Sequence, residues 1–167
     1  MKLDRKKCTL CMKCVVECPN NAFRQVGEVY SLSGLMREIM EYTDLVLLDI
    51  KHMDQEMHRQ GTGMDNALIL KNARIMASMR SVRISLPLIP GYNDSEENLL
   101  ATAEFALSLG VESIDINPLH KLGADKYTYL GLESSYEAYR SLDKQEVTRA
   151  RDIVMGHGLK VTVGRMM

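Results

Sequence analysis

Beyond residue 18 this chain has no cysteine, and it has no tryptophan anywhere in its 167 residues. The first absence excludes disulfides or thiolate metal sites from the rest of the fold. Charge of one sign is missing too: the net charge is -1, so there is no basic field of the kind that draws nucleic acid. Long apolar runs are also absent near the start, where Lys2, Asp4, Arg5, Lys6 and Lys7 lead directly into cysteines, as neither a signal peptide nor a spanning helix would. No repeat with a period of about 20–50 residues and no low-complexity tract interrupts the chain. What remains is ordinary globular composition, 46% apolar and 26% charged, in a length that suits one core burying roughly 70% of the unfolded surface. Together these features read as a cytoplasmic protein without a membrane or nucleic-acid partner. The twelve methionines are read as core filling.

The cysteines that are present all fall in one window: Cys8, Cys11, Cys14 and Cys18, with Pro19 next. The spacing C-x2-C-x2-C-x3-C-P is the bacterial ferredoxin run, in which thiolates on a tight loop converge on a 4Fe-4S cluster. A structural zinc site or a pair of disulfides are the alternatives. Neither calls for the closing Cys-Pro, and a zinc ribbon would separate two C-x2-C pairs widely. Reduced thiols also fit an intracellular compartment.

Past this window strands and helices alternate. Leu35, Met36, Ile39 and Met40 recur at helical spacing before a strand-length run from Asp44 to Ile50. A Gly- and Asp-rich loop through Gly61, Gly63 and Asp65 precedes a helix over about Leu68 to Ala77. Ser81 to Leu86 reads as a second strand closed by Pro87 and Pro90-Gly91. Asp94 and Glu97 then cap a helix that Gly110 ends. Ser113 to Asn117 is a third strand, Asp143 and Glu146 open a helix stopping at Gly156 and Gly158, and Leu159 to Val163 is the last strand. This alternation predicts a parallel α/β sheet with right-handed crossovers. About four strands cannot close an eight-stranded barrel, so the expectation is an open sheet or a partial (β/α) barrel.

Parallel sheets bind ligands at the carboxyl ends of their strands. There Asp49 and Lys51 share a face of the first strand, Asp115 and Asn117 share one of the third, and His120 lies just beyond. A strand end is equally where apolar sequence simply gives way to solvent. His52 and His58 stand in a polar stretch and are read as surface residues, and His157 as a helix-end residue.

Four segments, D-L-V-L-L-D-I-K-H-M-D (Asp44 to Asp54), T-G-M-D-N (Thr62 to Asn66), L-I-P-G-Y-N-D (Leu88 to Asp94) and L-G-A-D-K-Y (Leu122 to Tyr127), resemble in content and order the glycyl-radical-enzyme activating enzymes typified by pyruvate formate-lyase activating enzyme. The resemblance covers nearly the whole chain, and the cysteine run is similar to a ferredoxin-like insert found in many members. It implies residues 1–30 as a 4Fe-4S segment, with Cys8, Cys11, Cys14 and Cys18 as its ligands, and residues 31–167 as a partial barrel of radical S-adenosylmethionine type. It further implies reductive cleavage of S-adenosylmethionine to a 5'-deoxyadenosyl radical, which takes hydrogen from a glycine of a partner glycyl radical enzyme. A reduced flavodoxin or ferredoxin-type electron donor is implied as second partner, and an anaerobic setting with it. Asp49 and Lys51 match the family's D-I-K block at the S-adenosylmethionine site, and His120 occupies the place of the histidine that lies against that cofactor.

The chain departs from the family pattern at several points. The C-x3-C-x2-C motif of the catalytic cluster and the G-G-E segment are absent from these residues, so catalysis by this polypeptide alone is expected to be impaired. Ser85 stands where relatives show an arginine, with Arg83 one pleat earlier. One cysteine run replaces the usual two, which leaves Cys18 without the second cluster that the fourth cysteine of such a run ordinarily serves. The alternative to an activating enzyme is an iron-sulfur electron-transfer module or a non-catalytic interaction module derived from that family.

Overall fold

The computed structural model describes residues 7–9, 11–20, 22, 31–120, 127 and 139–164. The chain divides into two compact units, Met1–Ile39 and Met40–Met167. In the first, the described residues contain a single-turn helix α1 (Lys13–Val16) entered through Met12 at φ 59. Helix α2 (Leu32–Glu41) follows in sequence.

The second unit carries β1 (Leu45–Asp49), α3 (Gln55–Thr62), α4 (Ala67–Met79), β2 (Ser81–Leu88), α5 (Glu96–Ser108), β3 (Ser113–Pro118), α6 (Lys144–Met155) and β4 (Lys160–Val163). The four strands pair in the order β1-β2-β3-β4, all parallel. This sequential order, never reversing, is that of a (β/α) barrel segment rather than of a doubly wound sheet. The fold is thus an α/β partial barrel of four parallel strands.

Alternation along the strands separates two faces. Ile84, Leu86 and Leu88 of β2 and Ile114 and Ile116 of β3 are fully buried. They form one core with Ala73 of α4, Leu99, Ala103 and Ala106 of α5, and Val147, Ala150 and Val154 of α6. The other face carries Asp49, Ser85, Asp115 and Thr162, which the register places in one row across all four strands.

Four local expectations change. The Gly- and Asp-rich loop contains helix α3, because Asp54 caps it by accepting from the Met57 N–H at 2.8 Å, and Gly61 lies inside the helix. Pro87 does not end β2, which runs on to Leu88. Its register with β1 stops at Asp49 and Ser85, so the missing proline N–H falls where the β1 ladder has already ended. Helix α5 is capped by Ser95, one residue later than the charge pattern indicates, and Asp94 instead accepts from the Gly91 N–H at 2.9 Å. His52 and His58 are buried, only 6% and 3% exposed. His52 Nδ1 accepts from the Asp54 N–H at 3.0 Å, and His58 Nδ1 lies 2.6 Å from the Met64 carbonyl oxygen, so a backbone group partners Nδ1 of each ring.

Candidate functional site

At the carboxyl end of β1, the Lys51 Nζ donates to Asp49 Oδ2 at 2.7 Å. The two side chains are 39% and 53% exposed, so the pair is open to a ligand rather than sealed in the core. Partial burial pushes the Asp49 carboxyl up, but hydrogen bonds from Lys51 and Ser85 and the lysine charge outweigh it and hold the group below its ordinary value. The carboxylate is therefore ionised at neutral pH.

Along the same row, Arg83 approaches Asp115 at 3.7 Å, and the Thr162 hydroxyl donates to Asp115 from the other side. Asn117 Nδ2 donates to the Ser85 hydroxyl at 3.2 Å. Gly164 continues β4 by donating its N–H to the Ile116 carbonyl at 2.8 Å. A Cβ at Gly164 would lie 2.6 Å from Asn117 Oδ1, so a larger residue here would displace the Asn117 amide from its present position. The result is a polar face with cations and carboxylates interleaved, suited to a zwitterionic ligand of mixed charge.

The structure brings Asp49 and Lys51 into contact. His120 is exposed beyond β3, and it forms no hydrogen bond or ion pair with either of them. The preceding Leu119 N–H donates to the Leu88 carbonyl at 2.9 Å, which ties that loop to the end of β2 and keeps His120 at the same end of the sheet as Lys51.

Three buried asparagines escaped the sequence reading. Asn66 Nδ2 donates to the carbonyls of His52 and Met53 at 2.9 and 2.6 Å, and Asn98 Oδ1 accepts from the Met53 N–H at 2.8 Å. Asn93 Nδ2 donates to the carbonyls of Lys51 and Pro87 at 2.8 and 2.7 Å. Asparagine signals turns in sequence, and only the N-D after the Pro-Gly turn hints at such a clamp.

In the amino-terminal unit none of the four cysteines forms a disulfide; Cys11 and Cys14 are exposed and Cys8 and Cys18 partly so. Hydrogen bonds from the Lys13 backbone and then the Thr9 side chain hold the Cys11 thiol below its ordinary value. Cys18 Sγ accepts from the Ala22 N–H at 3.2 Å. Soft donors of this kind, with N–H groups aimed at sulfur, fit an iron-sulfur cluster. Among the described residues no three His, Cys, Asp or Glu side chains are grouped as ligands of a single metal ion.

Comparison with known proteins places these features. Residues 1–24 match the 4Fe-4S binding domain family, which supports an iron-sulfur cluster in this segment. A solved domain of pyruvate-formate lyase-activating enzyme from Bacteroides vulgatus ATCC 8482 superposes with a TM-score of 0.62 at 30% identity, covering 77% of this chain and 72% of that one. This chain belongs to the glycyl-radical-enzyme activating enzymes. The activating-enzyme relatives include the 4-hydroxyphenylacetate decarboxylase activating enzyme of Clostridium scatologenes, 31% identical over 138 residues, 81% of this chain and 44% of the relative. The pyruvate formate-lyase-activating enzyme of Staphylococcus epidermidis is 40% identical over 143 residues, 84% of this chain and 57% of the relative. The chain thus spans about half the length of the curated activating enzymes it matches. Of the activating-enzyme segments named above, residues 122–126 lie outside the described residues. Among the described residues no helix is long and apolar enough to cross a membrane.

Proposed function

We propose that this chain is the iron-sulfur and S-adenosylmethionine-binding part of a radical S-adenosylmethionine activating enzyme that serves a glycyl radical enzyme. Residues 1–30 form the cluster segment, with Cys8, Cys11, Cys14 and Cys18 as ligands, and residues 31–167 form the partial barrel. The observation that carries this reading is the Asp49–Lys51 pair, 2.7 Å apart on the open polar face at the carboxyl end of β1. When bound, a reduced 4Fe-4S cluster and S-adenosylmethionine supply reductive cleavage of the sulfonium and a radical that takes hydrogen from the partner's glycine. The chain's own residues bind and orient. Lys51 meets a carboxylate, Asp49 anchors Lys51 and accepts from a ligand donor, and His120 offers a ring nitrogen from the β3 loop. The polypeptide works in the cytoplasm with a reduced flavodoxin or ferredoxin as donor. The catalytic cluster's C-x3-C-x2-C motif, absent from these residues, has to come from elsewhere.

Anaerobic reconstitution with iron and sulfide tests this assignment. The protein is expected to take up about four irons per chain, and Cys11→Ala with Cys14→Ala is expected to abolish uptake. With dithionite and S-adenosylmethionine, no 5'-deoxyadenosine is expected from this polypeptide alone. Unchanged iron in the double variant, or nucleoside above the protein-free control, contradicts the assignment. The match of residues 1–24 to a 4Fe-4S binding domain also favours a second reading, an electron-transfer module, which predicts a reversible cluster potential but no S-adenosylmethionine binding.

A further inference from the structure

We propose that Asn93 is a positioning residue for the Asp49–Lys51 pair, its side-chain amide replacing the sheet ladder where β1 and β2 stop pairing. The last β1–β2 ladder bond runs from the Ile50 N–H to the Ser85 carbonyl at 3.0 Å. Pro87, two residues on, has no N–H with which to continue it. At that point the Asn93 Nδ2 spans the gap, donating to the Lys51 carbonyl at 2.8 Å and the Pro87 carbonyl at 2.7 Å. Asn93 Oδ1 accepts from the Ile89 N–H at 2.7 Å, and its carbonyl accepts from Asn98 Nδ2 at 2.9 Å. The residue is 0% exposed, so both amide protons and the amide oxygen are engaged away from water. Lys51 lies beyond the end of β1, and this bond fixes its backbone relative to β2. With the backbone fixed, its Nζ meets Asp49 at 2.7 Å.

The link to S-adenosylmethionine rests on the function proposed above; the link to the ion pair does not. The test is therefore the carboxyl titration of Asp49, followed by carbon NMR in the metal-free full chain. Lys51, Ser85 and, on the same sheet face, Arg83 and Asp115 are the polar and charged groups set around it. In Asn93→Ala the Asp49 midpoint is expected to rise to that of Lys51→Ala, and the double variant is expected to rise no further. Asn66→Ala, which frees His52 and Met53 but not Lys51, is expected to leave the midpoint unchanged. A wild-type midpoint in Asn93→Ala overturns the proposal, and so does an equal shift in Asn66→Ala, which marks general loosening. Should Asn93→Ala not fold, the wild-type protein still decides. The Asn93 side-chain amide protons are expected to exchange slowly and to show through-bond coupling to the Lys51 carbonyl carbon, and fast exchange without coupling overturns the proposal. Failure of the wild type to bind S-adenosylmethionine would count against the function alone.

Discussion

Gly61 has no room for a side chain. Its Cβ would meet the Tyr92 hydroxyl oxygen at 2.4 Å and ring carbons at 2.5 and 2.7 Å. Helix propensity alone favours Gly61→Ala by about 1 kcal/mol. Overpacking against a half-buried ring costs about 1–3 kcal/mol, so the variant is expected to unfold at lower urea, and Tyr92→Ala is expected to cost less in that background than in wild type. An unchanged or higher midpoint contradicts this packing. The Tyr92 ring also lies 5.3 Å from that of His52. Burial pushes the His52 imidazole below its ordinary value of 6.5, against the pull of Asp54 and Glu97. The unfolded chain therefore takes the proton first, and stability falls as pH drops below that value. Between about pH 7 and about pH 5 the loss is expected to be shallower in His52→Gln, measured by urea midpoints. Neither histidine's burial was legible in sequence. Polar neighbours indicate a surface, whereas backbone donors and acceptors make a buried imidazole affordable.

Among the elements, α6 is the one whose start the sequence states most fully. Asp143 accepts from the N–H groups of Gln145 and Glu146 at 2.8 and 2.9 Å, and Glu146 returns a bond to the Asp143 N–H at 2.9 Å. Asp143→Ala is expected to cost about 1 kcal/mol in thermal or urea unfolding; no loss would show that α6 is held by packing alone. The Arg140 guanidinium grips Glu146 through both nitrogens and, with the Asp143 N–H, holds its carboxyl down to about 2. That folded value lies below the ordinary one, so the contribution is present above about 4.5 and fades as pH falls towards about 2. Strands and amphipathic helices were legible because their periods repeat over many residues. Helix α3 was not, since its sequence is polar with an internal glycine, and the Tyr92 ring that occupies the space beside Gly61 comes from a distant segment.

At the scale of the molecule, the sequential parallel sheet brings to one face residues far apart in the chain. Asp49, Ser85, Asp115 and Thr162 form a row that strand alternation alone could indicate only strand by strand. Asp49 and Lys51 were readable as a pair because they sit two apart on one strand end, and the cysteine run because its spacing is itself the signal. The asparagine clamp was not readable, because each amide reaches backbone more than ten residues away. Membership of the activating enzymes and the position of Lys51 on an open polar face support the central proposal, that this end of the sheet holds S-adenosylmethionine. Its most direct test is calorimetric titration of S-adenosylmethionine into the reconstituted protein and into Lys51→Ala. Saturable binding that the variant weakens at least about tenfold, the loss of one charge-assisted hydrogen bond, is the expected result. No binding by the wild type, or equal affinity in both proteins, contradicts the account.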